Sequence, residues 1–186
     1  MTTIEAERDK YSRMWAHEAY RRSSPGERSA THFRSRIAPA RGDTVIDLGC
    51  GTGRGGAALA AKGFNVTLFD LVPSAVDEGV SLPFIEGNLW DLPVLPVFDW
   101  IFCTDVLEHI PPEHVDAALK GMAKITGKGG FLTIAHFQDG FGNVIGERLH
   151  LTVEPPDWWR PRIEKFWHIQ EWETTGTSAV VLGGPK

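Results

Sequence analysis

VIDLGCGTGRGG, residues 45–56, sets a carboxylate, Asp47, inside an apolar run and places glycine or cysteine at six of the eight positions from 49 to 56. The apolar run reads as a buried strand. Glycines after it let the backbone turn sharply and let a bound group approach without meeting a Cβ. Amides at the start of the following helix favour negative or polar groups. This strand, turn and helix predict a nucleotide-like ligand but leave open which one. Counted from Gly51, GTGRGG also satisfies G-x-G-x-x-G, the pattern of dinucleotide sites.

Outward from this turn, strand and helix signals alternate, which predicts a parallel sheet flanked by helices. Strands are expected at 43–49, 64–70, 82–88, 97–105 and 130–137, and helices at 54–63, 72–80 and 111–130. LWDLPVLPV, residues 89–97, is too short and proline-broken for a full helix. After residue 137 the rhythm changes: a helix is expected at 154–166, then two extended stretches at 166–173 and 177–184. The short TTG between them predicts an antiparallel pair, since so short a connection cannot cross to a parallel neighbour.

The 186 residues, 42% hydrophobic and 23% charged, suit one soluble domain with a real core. No apolar run approaches membrane-spanning length, and the charged start MTTIEAERDKYSRMW is unlike a secretory signal, so a cytoplasmic location is expected. Cys50 and Cys103 make no disulfide framework and no zinc spacing. Net charge is −5, yet residues 1–42 hold nine Lys and Arg against five Asp and Glu. Such an arm either greets an anionic acceptor or is a solvated helix face.

Three features narrow the ligand. Asp47 stands two residues before the first glycine, where a structural residue would be apolar. EGNLWDLP, residues 86–93, offers a polar side chain and free amides after the third strand. FDWIFCTDVLEHIPP, residues 98–112, carries Thr104, Asp105, Glu108 and His109 to the carboxyl edge of the sheet, the usual ligand side.

With VTLFD ending at Asp70, these segments resemble the class I S-adenosylmethionine-dependent methyltransferases over about residues 43–138. The resemblance implies a Rossmann-like α/β fold, a mostly parallel seven-stranded sheet with its last strand antiparallel. Outside the resemblance, residues 1–42 read as a helical arm or cofactor lid, with 11–33 as two helices separated at Ser23–Ser24–Pro25, ahead of a methyltransferase domain at 43–186. S-adenosylmethionine is the implied cofactor and S-adenosylhomocysteine the product. Gly49, Cys50 and Gly51 would pass close to the cofactor's methionine part, with Asp47 near its ammonium. Asp70 would hold the ribose hydroxyls and Leu71 would lie against the adenine. Asn88 and the amide of Leu89 would read the adenine edge, and the carbonyl of Thr104 would meet the amino-acid end.

The acceptor is expected to be a small molecule or glycan with an oxygen or nitrogen nucleophile, and a nucleic acid is not favoured. LHLTVEPPDWW, residues 149–159, has a faint likeness to bacterial and phage methyltransferases of glycan and natural-product contexts. A hydroxyl acceptor needs its proton removed, and histidine is the usual base near neutral pH. His109 is the first candidate, with His136 and His150 behind it. DVLEH with the distant His150 also resembles metal-dependent RNA 3′-terminal 2′-O-methyltransferases, in which Asp105, Glu108, His109 and His150 would be ligands to a divalent ion. Tyr11, Trp15 and Tyr20 are expected to cover the cofactor, and Trp158, Trp159 and Trp167 to form a lid at the same edge or to pack in the core. The rival readings are a nicotinamide-dependent oxidoreductase, which needs a second region for which there is little room, and a cofactor-binding module without activity. Neither an Asn-Pro-Pro-Tyr-like motif nor a Pro-Cys loop of base methylation is present.

Overall fold

The computed structural model describes residues 3–37 and 39–186; residues 1, 2 and 38 of the expected 1–42 arm lie outside this range. Helices α1 (Ile4–Trp15), α2 (Glu18–Arg22) and α3 (Gly26–Ile37) precede the sheet. β1 (Thr44–Leu48), α4 (Arg54–Ala60), β2 (Asn65–Asp70), β3 (Phe84–Glu86), β4 (Phe98–Thr104), α5 (Val115–Lys124), β5 (Thr126–Ala135), α6 (Pro156–Ile163), β6 (Trp167–Thr174) and β7 (Thr177–Pro185) follow. The strands form one seven-stranded sheet in the order β3-β2-β1-β4-β5-β7-β6. β1 to β5 are mutually parallel, and β7 runs antiparallel to both β5 and β6.

The strand order reverses between β1 and β4: β2 and β3 lie to one side of β1, and the chain then returns to build on the other. The loops leaving these two strands therefore diverge and open a crevice at their carboxyl ends. The glycine turn and Asp105 flank that crevice.

Side-chain alternation along β1 sets the layers. Val45 joins Phe33, Leu59, Leu68 and Phe102 under α3 and α4, whereas Ile46 and Leu48 join the cluster under α5 and α6. In α5, Val115, Ala118, Leu119 and Met122 recur at helical spacing and are all fully buried. By the same alternation Asp47 faces α4, and a Cβ on Gly56 would lie 3.0 Å from its Oδ2. A Cβ on Gly55 would lie 3.1 Å from Gly26 Cα, where α3 crosses α4. Gly56 thus admits the carboxylate, and Gly55 the crossing of α3.

Several expected elements shift. The helix at 72–80 is a single 3-10 turn, Pro73–Ala75. Within 111–130 a 3-10 turn at Pro112–His114 leads into α5, which ends at Lys124 because Thr126 already pairs with Phe98 in the sheet. The glycines at 127, 129 and 130 lie in β5 rather than stopping a helix. The arm breaks twice, near residue 17 and near residues 23–25, and its first helix begins at Ile4. No helix among the described residues is long and apolar enough to cross a membrane.

The charge asymmetry of the arm is answered inside the fold. Arg8 pairs with Glu86, Arg13 with Glu147, Arg21 with Asp77, and Arg36 with Glu171 and Glu173. The arm's arginines hold it against the acidic body.

Candidate active site

Two adjoining lobes fill the crevice, one of about 110 Å³ and one of about 240 Å³. Trp15, Tyr20, Gly49, Asp105 and His109 border both. The smaller lobe is lined by Tyr11, Asp70, Leu71, Asn88 and Leu89. The larger is lined by Asp47, Cys50, Gly51, Thr104, Glu108 and His150. Every residue that the resemblance assigned to the cofactor therefore lies on this one connected space.

The glycine turn is built for close approach. Gly49 and Gly51 have φ of +71° and +50°, conformations that L side chains rarely adopt. A Cβ on Gly51 would sit 2.7 Å from the Trp15 ring, and one on Gly49 2.5 Å from Val106. Asp70 Oδ2 accepts the Gly51 amide at 2.8 Å, and Oδ1 accepts the Val72 amide at 2.9 Å. These bonds aim the carboxylate from the end of β2 while leaving each oxygen a lone pair. Burial raises its pKa, opposed by the amides of Val72, Gly51 and Leu71.

Two buried polar atoms mark where a ligand belongs. Asn88 Oδ1 accepts the amides of Trp90 and Asp91 at 2.8 and 3.3 Å, and its Nδ2 donor has no partner. Asp47 is 3% exposed, its Oδ2 is unpartnered, and burial lifts its pKa to about 7, with the Gly56 amide opposing and Asp70 adding to the rise. A buried group left unsatisfied costs about 1–3 kcal/mol. A cationic group beside Asp47 and a purine-edge acceptor beside Asn88 would remove both penalties. The residues present thus fit S-adenosylmethionine, which carries an ammonium at one end and an adenine at the other.

The far end of the larger lobe carries the titratable groups. His109 follows β4 in the 3-10 turn Leu107–His109, and its Nδ1 lies 2.6 Å from the Tyr11 hydroxyl and 3.2 Å from the Leu149 carbonyl. Burial drives its pKa down to about 3, with His150 and Lys10 contributing and the Leu149 and Asp105 carbonyls opposing. So low a value makes the ring a weak proton acceptor near neutral pH and weighs against a simple general-base role. His150 arrives from the loop after β5: the amides of Leu151 and Thr152 donate to the Glu108 carbonyl at 2.8 and 2.9 Å. Its ring meets His109 edge to face, centroids 4.6 Å apart. Glu108 is fully buried, and its pKa is raised by burial and by Asp105. Asp105, with φ of +53°, has Oδ1 held by the Thr133 hydroxyl at 2.9 Å.

Trp15 stacks at a tilt on Tyr20, 4.6 Å between centroids, and Tyr20 meets Phe141 edge-on at 5.6 Å. The arm and the loop after β5 thus join over the crevice, as expected for Tyr11, Trp15 and Tyr20. Other candidates stand elsewhere. Both nitrogens of His136 are engaged, by the Glu154 carbonyl and the Ser178 hydroxyl, so it has no free position for chemistry. Trp159 and Trp167 are core residues and Trp158 packs against them, with Arg162 over its ring at 3.6 Å; none lines the crevice. Cys50 and Cys103 are buried and unbridged. Sequence reasoning missed Phe137, Asp139 and Phe141, which line the larger lobe. Their one signal was position, since they follow the carboxyl end of the fifth strand.

Residues 45–130 match a family model described as a methyltransferase domain. Ubiquinone biosynthesis O-methyltransferase of Rickettsia conorii is 31% identical over 88 residues, 43% of this chain and 30% of that protein. The enzyme of the same name from Xanthomonas axonopodis pv. citri is 32% identical over 108 residues, 52% of this chain and 45% of that protein. The chain spans less than half the length of these relatives. Among solved structures, 1,6-didemethyltoxoflavin-N1-methyltransferase of Burkholderia thailandensis, with 1,6-didemethyltoxoflavin and S-adenosylhomocysteine bound, superposes with a TM-score of 0.71 at 18% identity, covering 100% of this chain and 91% of that one. N-methyltransferase NodS of Bradyrhizobium japonicum WM9, with S-adenosylhomocysteine, gives 0.68 at 16% identity, covering 94% and 96%. At such identities the likeness is one of fold.

Proposed function

We propose that this chain is a class I S-adenosylmethionine-dependent methyltransferase that transfers a methyl group to an oxygen or nitrogen nucleophile of a small molecule. One observation carries the reading. Asp47 and Asn88, each with a buried unpartnered polar atom, line the same pair of adjoining lobes as Glu108, His109 and His150.

The bound cofactor supplies a methyl group already activated on a sulfonium. The chain's own work is then to bind, align and exclude water. The Asp70 carboxylate, aimed by two amides, would hold the ribose hydroxyls, and Asn88 Nδ2 with the Leu89 amide would read the adenine edge. Asp47 would balance the ammonium, and the bare main chain of residues 49–51 would leave room for the methionine part. Trp15 and Tyr20 close the crevice from the arm side. The acceptor enters the larger lobe beyond Thr104, where His109 and His150 meet its proton-bearing atom.

Three findings support a small acceptor. The larger lobe measures about 240 Å³. Arg8, Arg13, Arg21 and Arg36 are ion-paired with body carboxylates, which reduces the arm's attraction for a polyanion. The named relatives act in ubiquinone biosynthesis, and a neighbour of similar fold holds 1,6-didemethyltoxoflavin. A sugar-like acceptor fits the same chemistry.

Calorimetry with S-adenosylhomocysteine tests the reading. Micromolar binding is expected, with no thermal shift from NAD, and formation of S-adenosylhomocysteine from S-adenosylmethionine across hydroxyl and amine acceptors then identifies the substrate. Folded protein that takes up no S-adenosylhomocysteine at millimolar concentration overturns the proposal.

A further inference from the structure

The larger lobe carries charge of one sign. Asp47, Asp105, Glu108 and Asp139 line it, and among the described residues no Lys or Arg does. Arg28, which acts on the Asp105 charge, is exposed and stands outside that lining. Lys10, which acts on His109, is ion-paired with Glu7 at 2.6 Å. With Asp47 set against the cofactor's ammonium, three carboxyl groups remain on the acceptor side.

Two observations distinguish these three from a solvated cluster. Glu108 is 0% exposed; its Oε1 accepts the Ala135 amide at 3.1 Å, while Oε2 has no hydrogen-bond partner. Asp105 alone among the described non-glycine residues has a positive φ, +53°. Left-handed backbone costs such a residue about 1–2 kcal/mol, and strain of this kind gathers at functional sites. Thr133 pins it there: its hydroxyl donates to Asp105 Oδ1 at 2.9 Å and accepts the Asp105 amide at 3.0 Å. Asp105 thus stands apart from Glu108, His109 and His150, whose polar atoms come within 4.8 Å of one another, which corrects the four-ligand expectation. Asp139 is fixed by the Gly142 amide, 3.1 Å from its Oδ2. Aromatic rings complete this side of the lobe. Phe137 is 55% exposed, its centroid 5.8 Å from that of His150, and Phe141 meets Tyr20 edge-on.

We propose that the methyl acceptor is a primary or secondary amine, bound as an ammonium on a small apolar body, with Asp105, Glu108 and Asp139 facing its charge and Phe137 and Phe141 its body. This rests on the methyl-transfer reading and narrows it from an oxygen or nitrogen nucleophile to nitrogen. A cleft lined by one sign of charge concentrates ligands of the opposite sign and repels its own. Aromatic faces add to the attraction through their quadrupole. Carboxylate and phosphate acceptors are repelled by the same field, and a neutral alcohol gains nothing from it.

In the transfer, one ammonium proton passes through a lobe carboxylate to solvent. The freed nitrogen lone pair forms the new C–N bond, and the C–S pair stays on sulfur as the sulfonium becomes a neutral thioether. The positive charge ends on the methylated ammonium, which the same carboxylates face.

Calorimetric titration of the full chain, with and without saturating S-adenosylhomocysteine, tests the proposal on phenethylamine, phenethyl alcohol and hydrocinnamate, which share one ring and differ in the end group. The amine should bind at least about tenfold tighter than the alcohol, and the carboxylate weakest of the three. Asp105→Asn and Asp139→Asn should each lower amine affinity about threefold or more and leave that of the alcohol unchanged. The thermal shift given by S-adenosylhomocysteine should persist in Asp139→Asn, showing it folded. Alcohol or carboxylate binding as tight as that of the amine overturns the proposal. So does the absence of amine binding at millimolar concentration in protein that binds S-adenosylhomocysteine. An amine preference unchanged in both variants places the amine elsewhere and overturns it equally. Should S-adenosylhomocysteine not bind, the methyl-transfer reading fails by itself, and the titrations made without it still decide the charge preference of the lobe.

Discussion

The Tyr11 hydroxyl lies 2.6 Å from Nδ1 of His109, so the first helix of the arm is hydrogen-bonded to the turn that carries the acceptor-side histidine. Lid and chemistry are joined through one phenol. Burial also keeps that phenol protonated, its pKa raised well above 10.0, with Tyr20 and Glu7 adding to the rise.

Tyr11→Phe removes this bond and leaves the ring volume. A neutral hydrogen bond contributes about 0.5–1.5 kcal/mol, so unfolding by urea should show a loss of that size. Turnover should fall more than S-adenosylhomocysteine affinity, because the freed His109 ring lies at the acceptor end. Equal loss of both would mean that the phenol serves cofactor binding alone.

Asp70→Asn keeps the shape but replaces one acceptor oxygen with a donor facing an amide. Hydrogen bonds to a charged group contribute about 1.5–3 kcal/mol, which is roughly 10- to 150-fold in affinity. Calorimetric binding of S-adenosylhomocysteine should weaken within that range, with part of the loss coming from the misdirected Gly51 turn. Unchanged affinity would remove Asp70 from the ribose site.

Asp47 gives a pH dependence with a definite sign. Its pKa of about 7 in the free protein exceeds the ordinary carboxylate value, and an ammonium placed beside it would lower it again. Binding then releases a proton, so S-adenosylhomocysteine affinity should rise with pH by about tenfold per unit below pH 7 and level off above. Calorimetry in buffers of different ionisation enthalpy reads the released proton. Asp47→Asn should flatten the profile. The same shift makes the free protein less stable as pH rises from the ordinary carboxylate range toward 7, since the folded state holds the proton more tightly.

Gly51→Ala meets two separable penalties, a φ of +50° and a Cβ 2.7 Å from the Trp15 ring. Left-handed backbone costs a non-glycine residue about 1–2 kcal/mol, and the clash adds to it. In the Trp15→Ala background the clash disappears and only the backbone part remains. A double-mutant cycle on thermal stability should therefore show coupling of about 1 kcal/mol or more. Strict additivity would mean that Trp15 does not rest on the turn in solution.

Much of the fold and of the cofactor side was legible because its signals are local. β1, its glycine turn and the acid at the end of β2 are written in period, spacing and residue type over a few dozen positions, and no distant contact can erase them. Asp70 and Thr104 reach the crevice because they end parallel strands, and Asn88 because it lies two residues past the end of a third. The helix expected at 72–80 shrank to one turn because three prolines and glycines, Pro73, Gly79 and Pro83, leave too little chain for it. The aromatic run at 158–167 was ambiguous by nature, since tryptophans at helical spacing serve a lid or a core equally well.

Taken alone, the chain's residue order determined the alternating strands and helices of a parallel sheet and the acids and bare backbone at its carboxyl ends, for these depend on near neighbours and on the stereochemistry of each residue. Only the closed structure decided that His150 stands beside Glu108 and His109, that the arm's arginines neutralise the body's carboxylates, and that Trp159 and Trp167 lie in the core. Those contacts join positions tens of residues apart, and more than a hundred for Arg13 with Glu147 and Arg36 with Glu171. Such pairs meet only when the packed sheet and its loops bring them together, and no local pattern carries that information.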